Sequence, residues 1–358
     1  MSAPLAIVGH AMLTALGNTG ATTCAALRAG IGGAREAPLW DRFAGTNVRV
    51  ARPRLRQWWS GPTMIPELLA PVIAQCTAQA RQLGLPAPEL PVLVLLSPRD
   101  RPHRAPGFDD LVLSALARHR GDALPPRSGV IAGGRTGIAQ ALTVAAGLIG
   151  RGAPACLIVG AESFLTQPLI EHYLDRGRLF SPANSNGFLP GEAACGVIVT
   201  PSGDTRRDEL VIAGIGQAVD ASRDGGHADA PVRGDGLTQA IRSALTGTGI
   251  DFHDLHFSIS DHNGERFKFK EQALAGARLD HAPDGGSRRP RGFMDVWHPA
   301  EGIGEVGAAT FPCLLGWALE AGVKAYAPGQ HALLHAGEDD GSRIALITRF
   351  ERGDATGS

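Results

Sequence analysis

The sequence predicts a layered α/β protein built from two similar halves, on three observations. Short apolar runs that read as strands buried on both faces recur along the chain, with helical patterns between them. The alternation ends once at Cys195–Val199 and opens again at Glu209–Ile215. Glycine is abundant, 47 of 358 residues, while aromatic residues make up 5%. That composition suits backbone packed closely on backbone.

The elements follow in order. Ala6 to Gly9 reads as a buried strand, with a turn at Gly17-Asn18 and a helix over Thr22–Ala29. Residues 31–62 read as irregular, and Ala51 to Trp59 (ARPRLRQWW) is a basic-aromatic patch. Ile65–Leu83 has helical periodicity, Leu90–Leu96 is a strand apolar on both faces, and Phe108–His119 is an amphipathic helix. Val130–Ala132 is a short strand, Thr136–Gly150 a helix apolar all round and hence a core helix, and Cys156–Val159 a strand. The second half has helices at Leu237–Leu245, Lys270–Leu279 and Ala308–Leu319, and strands at Leu255–Ser260 and Arg343–Thr348. Pro283–Gly292 is an Arg/Pro/Gly-rich loop or insertion. The expected division is 1–205 and 206–352, with a frayed polar tail over 353–358.

Composition removes several function classes. Against 34 Lys+Arg stand 35 Asp+Glu, a formal charge of −1, so there is no general attraction to phosphate and no nucleic-acid partner is expected. A 44% hydrophobic, 19% charged chain can bury a core. Five cysteines, odd in number and without a CxxC pair, argue for a reducing cytoplasm over a disulfide framework or zinc cage. The N-terminus lacks signal-peptide features, and no run of eighteen apolar residues suggests a membrane span.

Three stretches carry a likeness. They are AIVGHAMLTALGNTGATTCAALRAGIGG at the start, SGVIAGGRTGIAQALTVAAGLIGRGAPACLIVGAES in the middle, and FSPANSNGFLPGEAACGVIV with its Gly187-Phe188 and Gly191-Glu192. Together, over some 200 residues, they resemble the β-ketoacyl synthase branch of the thiolase-like condensing enzymes. From Glu209 onward the similarity rests on segment order. The resemblance implies a thiolase-like five-layer α-β-α-β-α fold of two related halves, and a homodimer or a heterodimer with a ketosynthase-like partner.

Condensing chemistry needs a thiolate at a strand-to-helix turn, where the helix N-terminus stabilises S⁻. It also needs two basic side chains and a backbone oxyanion hole. The family pattern Ala-Cys-x-Ser-Gly falls on Gly133–Gly137, so Gly134 takes the nucleophile's place, and Arg135 and Thr136 follow. Losing a nucleophile from residues that act as a unit costs about a million-fold in rate. Where the family shows His-Gly-Thr, this chain has Asp261-His262-Asn263-Gly264-Glu265. The resemblance offers His262 as the counterpart of the first base, and the residues alone read equally as a loop histidine between acidic groups. The second base falls on Gly304, or on Glu305 in a loop one residue shorter, with His298 six residues before Gly304 as a substitute from a rearranged loop. The glycine-rich turn before the last strand carries Glu338, Asp339 and Asp340, carboxylates expected to repel an oxyanion.

Other constellations are weaker. His331-x3-His335 has ligand spacing but reads as strand, His253-x2-His256 reads as surface, and Asp220–Asp229 lacks the EF-hand pattern, so no metal and no cofactor are expected. Gly133–Gly137 with Arg135 has the form of a weak phosphate cradle, and Arg52, Arg54, Arg56, Trp58 and Trp59 of an acidic-partner surface. The expectation is a ketosynthase scaffold without the ketosynthase reaction. It would act as a non-enzymatic partner of the chain-length-factor or secretion-system accessory type, alongside an acyl carrier protein or acyl-CoA. The alternative is an acyltransferase-related enzyme of altered acyl-thioester chemistry (transfer, decarboxylation or hydrolysis) using His262, Asp261, Glu265, Arg135 and the Glu338–Asp340 carboxylates.

Overall fold

A computed structural model describes residues 4–56, 59–221, 223, 231–281 and 294–354. The expected Pro283–Gly292 loop, Trp58, most of Asp220–Asp229 and the last four residues of the tail lie outside the described residues.

Ten strands form one sheet whose two halves repeat the same plan. In chain order the first five are β1 (Leu5–Leu13), β4 (Val92–Leu95), β5 (Gly129–Ile131), β6 (Cys156–Ser163) and β7 (Glu192–Pro201). They lie side by side as β1-β7-β6-β4-β5. The second five are β8 (Glu209–Val219), β9 (Phe257–Ser260), β10 (Asp295–Trp297), β11 (His331–Gly337) and β12 (Ser342–Glu351), in the order β8-β12-β11-β9-β10. First, fifth, fourth, second, third is the order in both. In each half the first and fifth strands and the fourth and fifth pair antiparallel, while the other two pairings are parallel. The halves join where β1 meets β8 at Ala6↔Val211 and Ile7↔Leu210.

Alternation along the strands sorts side chains into layers. Leu93, Leu95, Ile158, Val197 and Val199 face a central core with Ile259, Leu334, Ile344 and Leu346 of the second half. That core is filled by α4 (Ile138–Gly150) and α9 (Thr310–Val323). The opposite faces, Val92, Val94, Leu157 and Ile198, pack under α2 (Met64–Gln82) and α3 (Phe108–Arg120). In the second half Leu333, Ala345 and Ile347 pack under α6 (Asp235–Leu245) and α7 (Arg266–His281). The result is five layers, α-β-α-β-α, as the resemblance implies. α1 (Gly20–Arg28) starts from a Thr19 capping box.

Several readings change. The stretch taken as irregular holds a hairpin, β2 (Ala34–Asp41) with β3 (Thr46–Ala51), resting on α5 (Gln167–Asp175). The helix read from Thr136 begins at Ile138, after a tight turn over Gly134–Thr136. It is not buried all round, since Gln140 and Thr143 are exposed and Val144, Ala146 and Ile149 half-buried. The His253 side chain is buried between Asp251 and Asp280, while His256 is exposed. His331 and His335 lie on β11 as a strand, and no metal-ligand group of three is found among the described residues. No helix among the described residues is long and apolar enough to cross a membrane. A short helix, α8 (Ala300–Ile303), precedes the Gly304–Ala309 turn.

Candidate functional site

Away from the β1–β8 pairing the halves meet again, where the ends of β5, β6, β9 and β11 converge, and a buried ionic network fills this joint. β5 runs into the Gly134–Thr136 turn, anchored by the Gly134 amide on the Leu96 carbonyl at 3.0 Å. Gly134 has φ +54°, a left-handed conformation, and a Cβ added there would collide with the Glu338 carboxylate and stand 2.9 Å from Pro98 Cδ. Two separate constraints therefore reserve the position for glycine. Gly304 is similar, with φ +73° and a would-be Cβ 2.8 Å from the Leu189 carbonyl.

Arg135, 1% exposed, holds the centre. Its backbone amide donates to Glu338 Oε2 at 3.0 Å, Nη1 donates to Glu338 Oε1 and to the Gly337 carbonyl at 2.9 Å each, and Nε donates to Glu305 Oε1 at 3.1 Å. The other Glu305 oxygen accepts from Asn263 Nδ2 at 2.6 Å. Arg178 then bridges Glu265 and Asp339. Its Nε donates to Glu265 Oε1 at 2.7 Å, and Nη1 and Nη2 reach Asp339 Oδ2 and Oδ1 at 3.0 and 3.1 Å. Lys268 Nζ sits 2.5 Å from Asp261 Oδ2. Arg101 lies between Glu162 and Glu338 at 3.5 and 3.7 Å and donates to the Tyr173 hydroxyl at 3.0 Å.

Burial alone raises a carboxyl, but opposite charge outweighs it at Asp339, Glu305 and Asp261. Asp339 is held well below the usual carboxylate range because Arg135 and Arg178 outweigh its desolvation. Glu305 is lowered by Arg135 and Lys268 against the same penalty, and Asp261 by Lys268 and Arg135. Glu162 goes the other way: burial dominates and raises it despite Arg101. The acidic turn expected to repel is thus neutralised by arginines of the first half. Arg135 spends its amide and guanidinium on carboxylates, so the phosphate cradle read from Gly133–Gly137 does not form.

Of the residues singled out from sequence, Arg135, Asn263, Glu265, Glu305, Glu338, Asp339 and Asp261 meet here. Thr136 turns its hydroxyl to the Gly133 carbonyl at 3.3 Å, and Asp340 is exposed and caps Ser342, so neither joins the network. His262, 3% exposed, stacks on Phe269 at 4.3 Å and lines a separate cavity of about 490 Å³ with Gln272, His298 and Leu333. Neither of its ring nitrogens has a hydrogen-bond partner among the described residues. His298 binds Glu301 Oε1 at 2.7 Å, with its ring 5.8 Å from that of His262. The cavity beside Arg101 and Glu162 measures about 70 Å³, room for a few water molecules. Arg178, Arg101, Glu162 and Lys268 were missed by sequence reasoning. The available signal was a charge at the end of an apolar run, as for Glu162 after CLIVGA. The five cysteines are all buried, and burial raises Cys24, Cys76, Cys156 and Cys195 above the ordinary thiol range.

Restoring a thiol at the turn tests how far the site is closed. Gly134→Cys should lower stability by about 2–5 kcal/mol, from left-handed backbone strain together with overpacking against Glu338 and Pro98. A urea midpoint equal to that of the parent chain would show the turn can accept a side chain.

No protein-family model matches the chain, and no curated protein matches it. Solved structures do. The ishigamide ketosynthase/chain length factor superposes with TM-score 0.67 at 20% identity, covering 97% of this chain and 99% of that one. A type II polyketide synthase acyl-carrier protein complex with its hexaketide-bound ketosynthase (AntDE:AntF) gives 0.75 at 12% identity, over 98% and 100%. The ketosynthase from module 6 of the bacillaene synthase of Bacillus subtilis 168 gives 0.68 at 13%, over 97% and 72%. At these identities the likeness is one of architecture: the chain has the thiolase-like fold shared by ketosynthases and chain length factors.

Proposed function

We propose that the chain is a non-condensing ketosynthase-fold subunit, a protein partner of the chain-length-factor kind. The observation that carries this reading is the filled position at Gly134. Where a thiolate would have to stand, the Glu338 carboxylate occupies the space and Arg135 is locked beneath it. A carboxylate already held there by the Arg135 amide and guanidinium leaves no room for a thiolate and takes up the backbone donor that an oxyanion would need. The alternative, an altered acyl-thioester enzyme, needs His262 and Arg135 to act on one substrate. His262 instead lines a cavity whose lining residues do not include Arg135.

Two surfaces support a partner role. Among the described residues β5 pairs only with β4 and forms one edge of the sheet, and it leads through the Gly134–Thr136 turn into α4, whose Val144, Ala146 and Ile149 are half-buried. An open edge is a template for another chain, and we assign the ketosynthase-like partner to it. The segment over residues 34–56 carries six Arg against Glu36 and Asp41. Arg52 is paired with Glu192 at 2.7 Å and Arg42 with Asp175, while Arg35, Arg49, Arg54 and Arg56 stand exposed and suit an acidic carrier protein. Incubation with malonyl- and acyl-loaded carrier protein or coenzyme A, followed by intact mass and product analysis, should leave protein and substrates unchanged. A covalent adduct, or a decarboxylated product whose formation survives repurification and is lost in His262→Ala, overturns the reading.

A further inference from the structure

The chain is poor in aromatic side chains, yet two of its five tryptophans and one of its two tyrosines line one surface groove of about 430 Å³. That volume lies in the range of small-molecule sites. The groove runs between the end of α1 and β10, α8 and α9, and shares no lining residue with the ionic network at the joint. Trp297 is its centre. Its ring lies 5.1 Å from Trp317 and 6.0 Å from Tyr326, at 31° to each, and Phe257 backs it at 4.8 Å. Rings held in this way lose little freedom when a flat ligand stacks on them.

Charge selects among flat ligands. The Arg28 guanidinium lies 4.5 Å over the Tyr326 ring, exposed, with no ion pair among the described residues. The one carboxylate lining the groove among the described residues, Glu301, is hydrogen-bonded to His298 Nε2 at 2.7 Å through Oε1 and keeps its own charge. Arg28 is the lining group that can receive an anion. Ile31, 54% exposed at the rim, adds apolar surface to the entrance. From these features we propose that the groove binds a planar aromatic carboxylate, its rings on the Trp297–Tyr326 surface and its carboxylate on Arg28. The site is independent of the reading given for the joint between the halves.

The test is isothermal titration of the full chain with 2-naphthoate, beside 2-naphthamide and 2-naphthylmethylammonium, with tryptophan emission followed in parallel. Expected are saturable binding of the acid, about tenfold tighter than the amide, since a hydrogen bond to a charged group is worth more than a neutral one, and weaker binding still of the ammonium. Arg28→Ala should erase the preference for the acid, and Trp297→Leu should remove binding of acid and amide alike. Because Trp297 also packs on Phe257, the exposed pair Arg28→Ala and Ile31→Ser carries the test if Trp297→Leu does not fold; Ile31→Ser should weaken both ligands. No saturable binding, equal affinity for acid and amide, tighter binding of the ammonium, or an Arg28→Ala chain that still prefers the acid overturns the proposal.

Discussion

Replacing Arg135 by methionine should cost about 3–5 kcal/mol of stability, the loss expected when one partner leaves a buried ion cluster. The size follows from what is left behind. Glu338 and Glu305 each lose a direct partner at 2.9–3.1 Å, and Asp339 loses one of the two arginines that hold it ionised. These carboxylates are buried or nearly so, and uncompensated charge in such surroundings must either take up a proton or draw in water. Equilibrium urea unfolding reads the loss. Adding Glu338→Gln and Glu305→Gln to Arg135→Met should restore part of it, because the neutral amides no longer need the guanidinium. A loss below about 1 kcal/mol for Arg135→Met would mean the network is well hydrated and contributes as little as a surface pair.

The second large effect is loss of stability in mild acid. Burial lowers His262 to about 3, with His335 adding to the shift and Asp261 opposing it, while His298 and Lys268 also lower it. His335 is lowered to about 4, again by burial first, against Asp261 and with Lys268 and Arg343. Both values lie below the ordinary 6.5, so the unfolded chain binds more protons between about pH 6.5 and pH 3–4. Stability is fully present above pH 6.5 and falls as pH drops through that window. Each histidine should lose about 2 kcal/mol between pH 8 and pH 5. Glu162, Glu192 and Glu271, raised chiefly by burial, act in the opposite sense. The diagnostic quantity is thus the difference between the parent and the His262→Gln/His335→Gln chain, measured by urea unfolding at both pH values. Equal slopes in the two proteins would refute the assignment.

Much of this architecture is legible in the chain, and the reason lies in pattern length. β4, β6 and β7 are apolar on both faces and cannot be mistaken for surface. The β2–β3 hairpin was not legible, because Pro38 and a register shift between Glu36 and Trp40 break the alternation. At the joint, Arg135, Glu305 and Glu338 could be singled out because they stand where a family motif would. Arg178 and Lys268 stand in no motif. Arg178 comes within reach of Asp339 only because the two halves meet, and Lys268 reaches Asp261 within the second half, where the chain turns from β9 into α7.

The repeated strand order has a consequence for how such a protein can change. The first half brings Arg101, Arg135 and Arg178 to the joint with one carboxylate, Glu162. The second brings Asp261, Glu265, Glu305, Glu338 and Asp339 with one cation, Lys268. Neither set is tolerable in a dry interior alone. No member of either set can be replaced singly without leaving its partner's charge buried. Substitutions on the two halves must come as complementary pairs, or pass through an intermediate in which the joint stays wet.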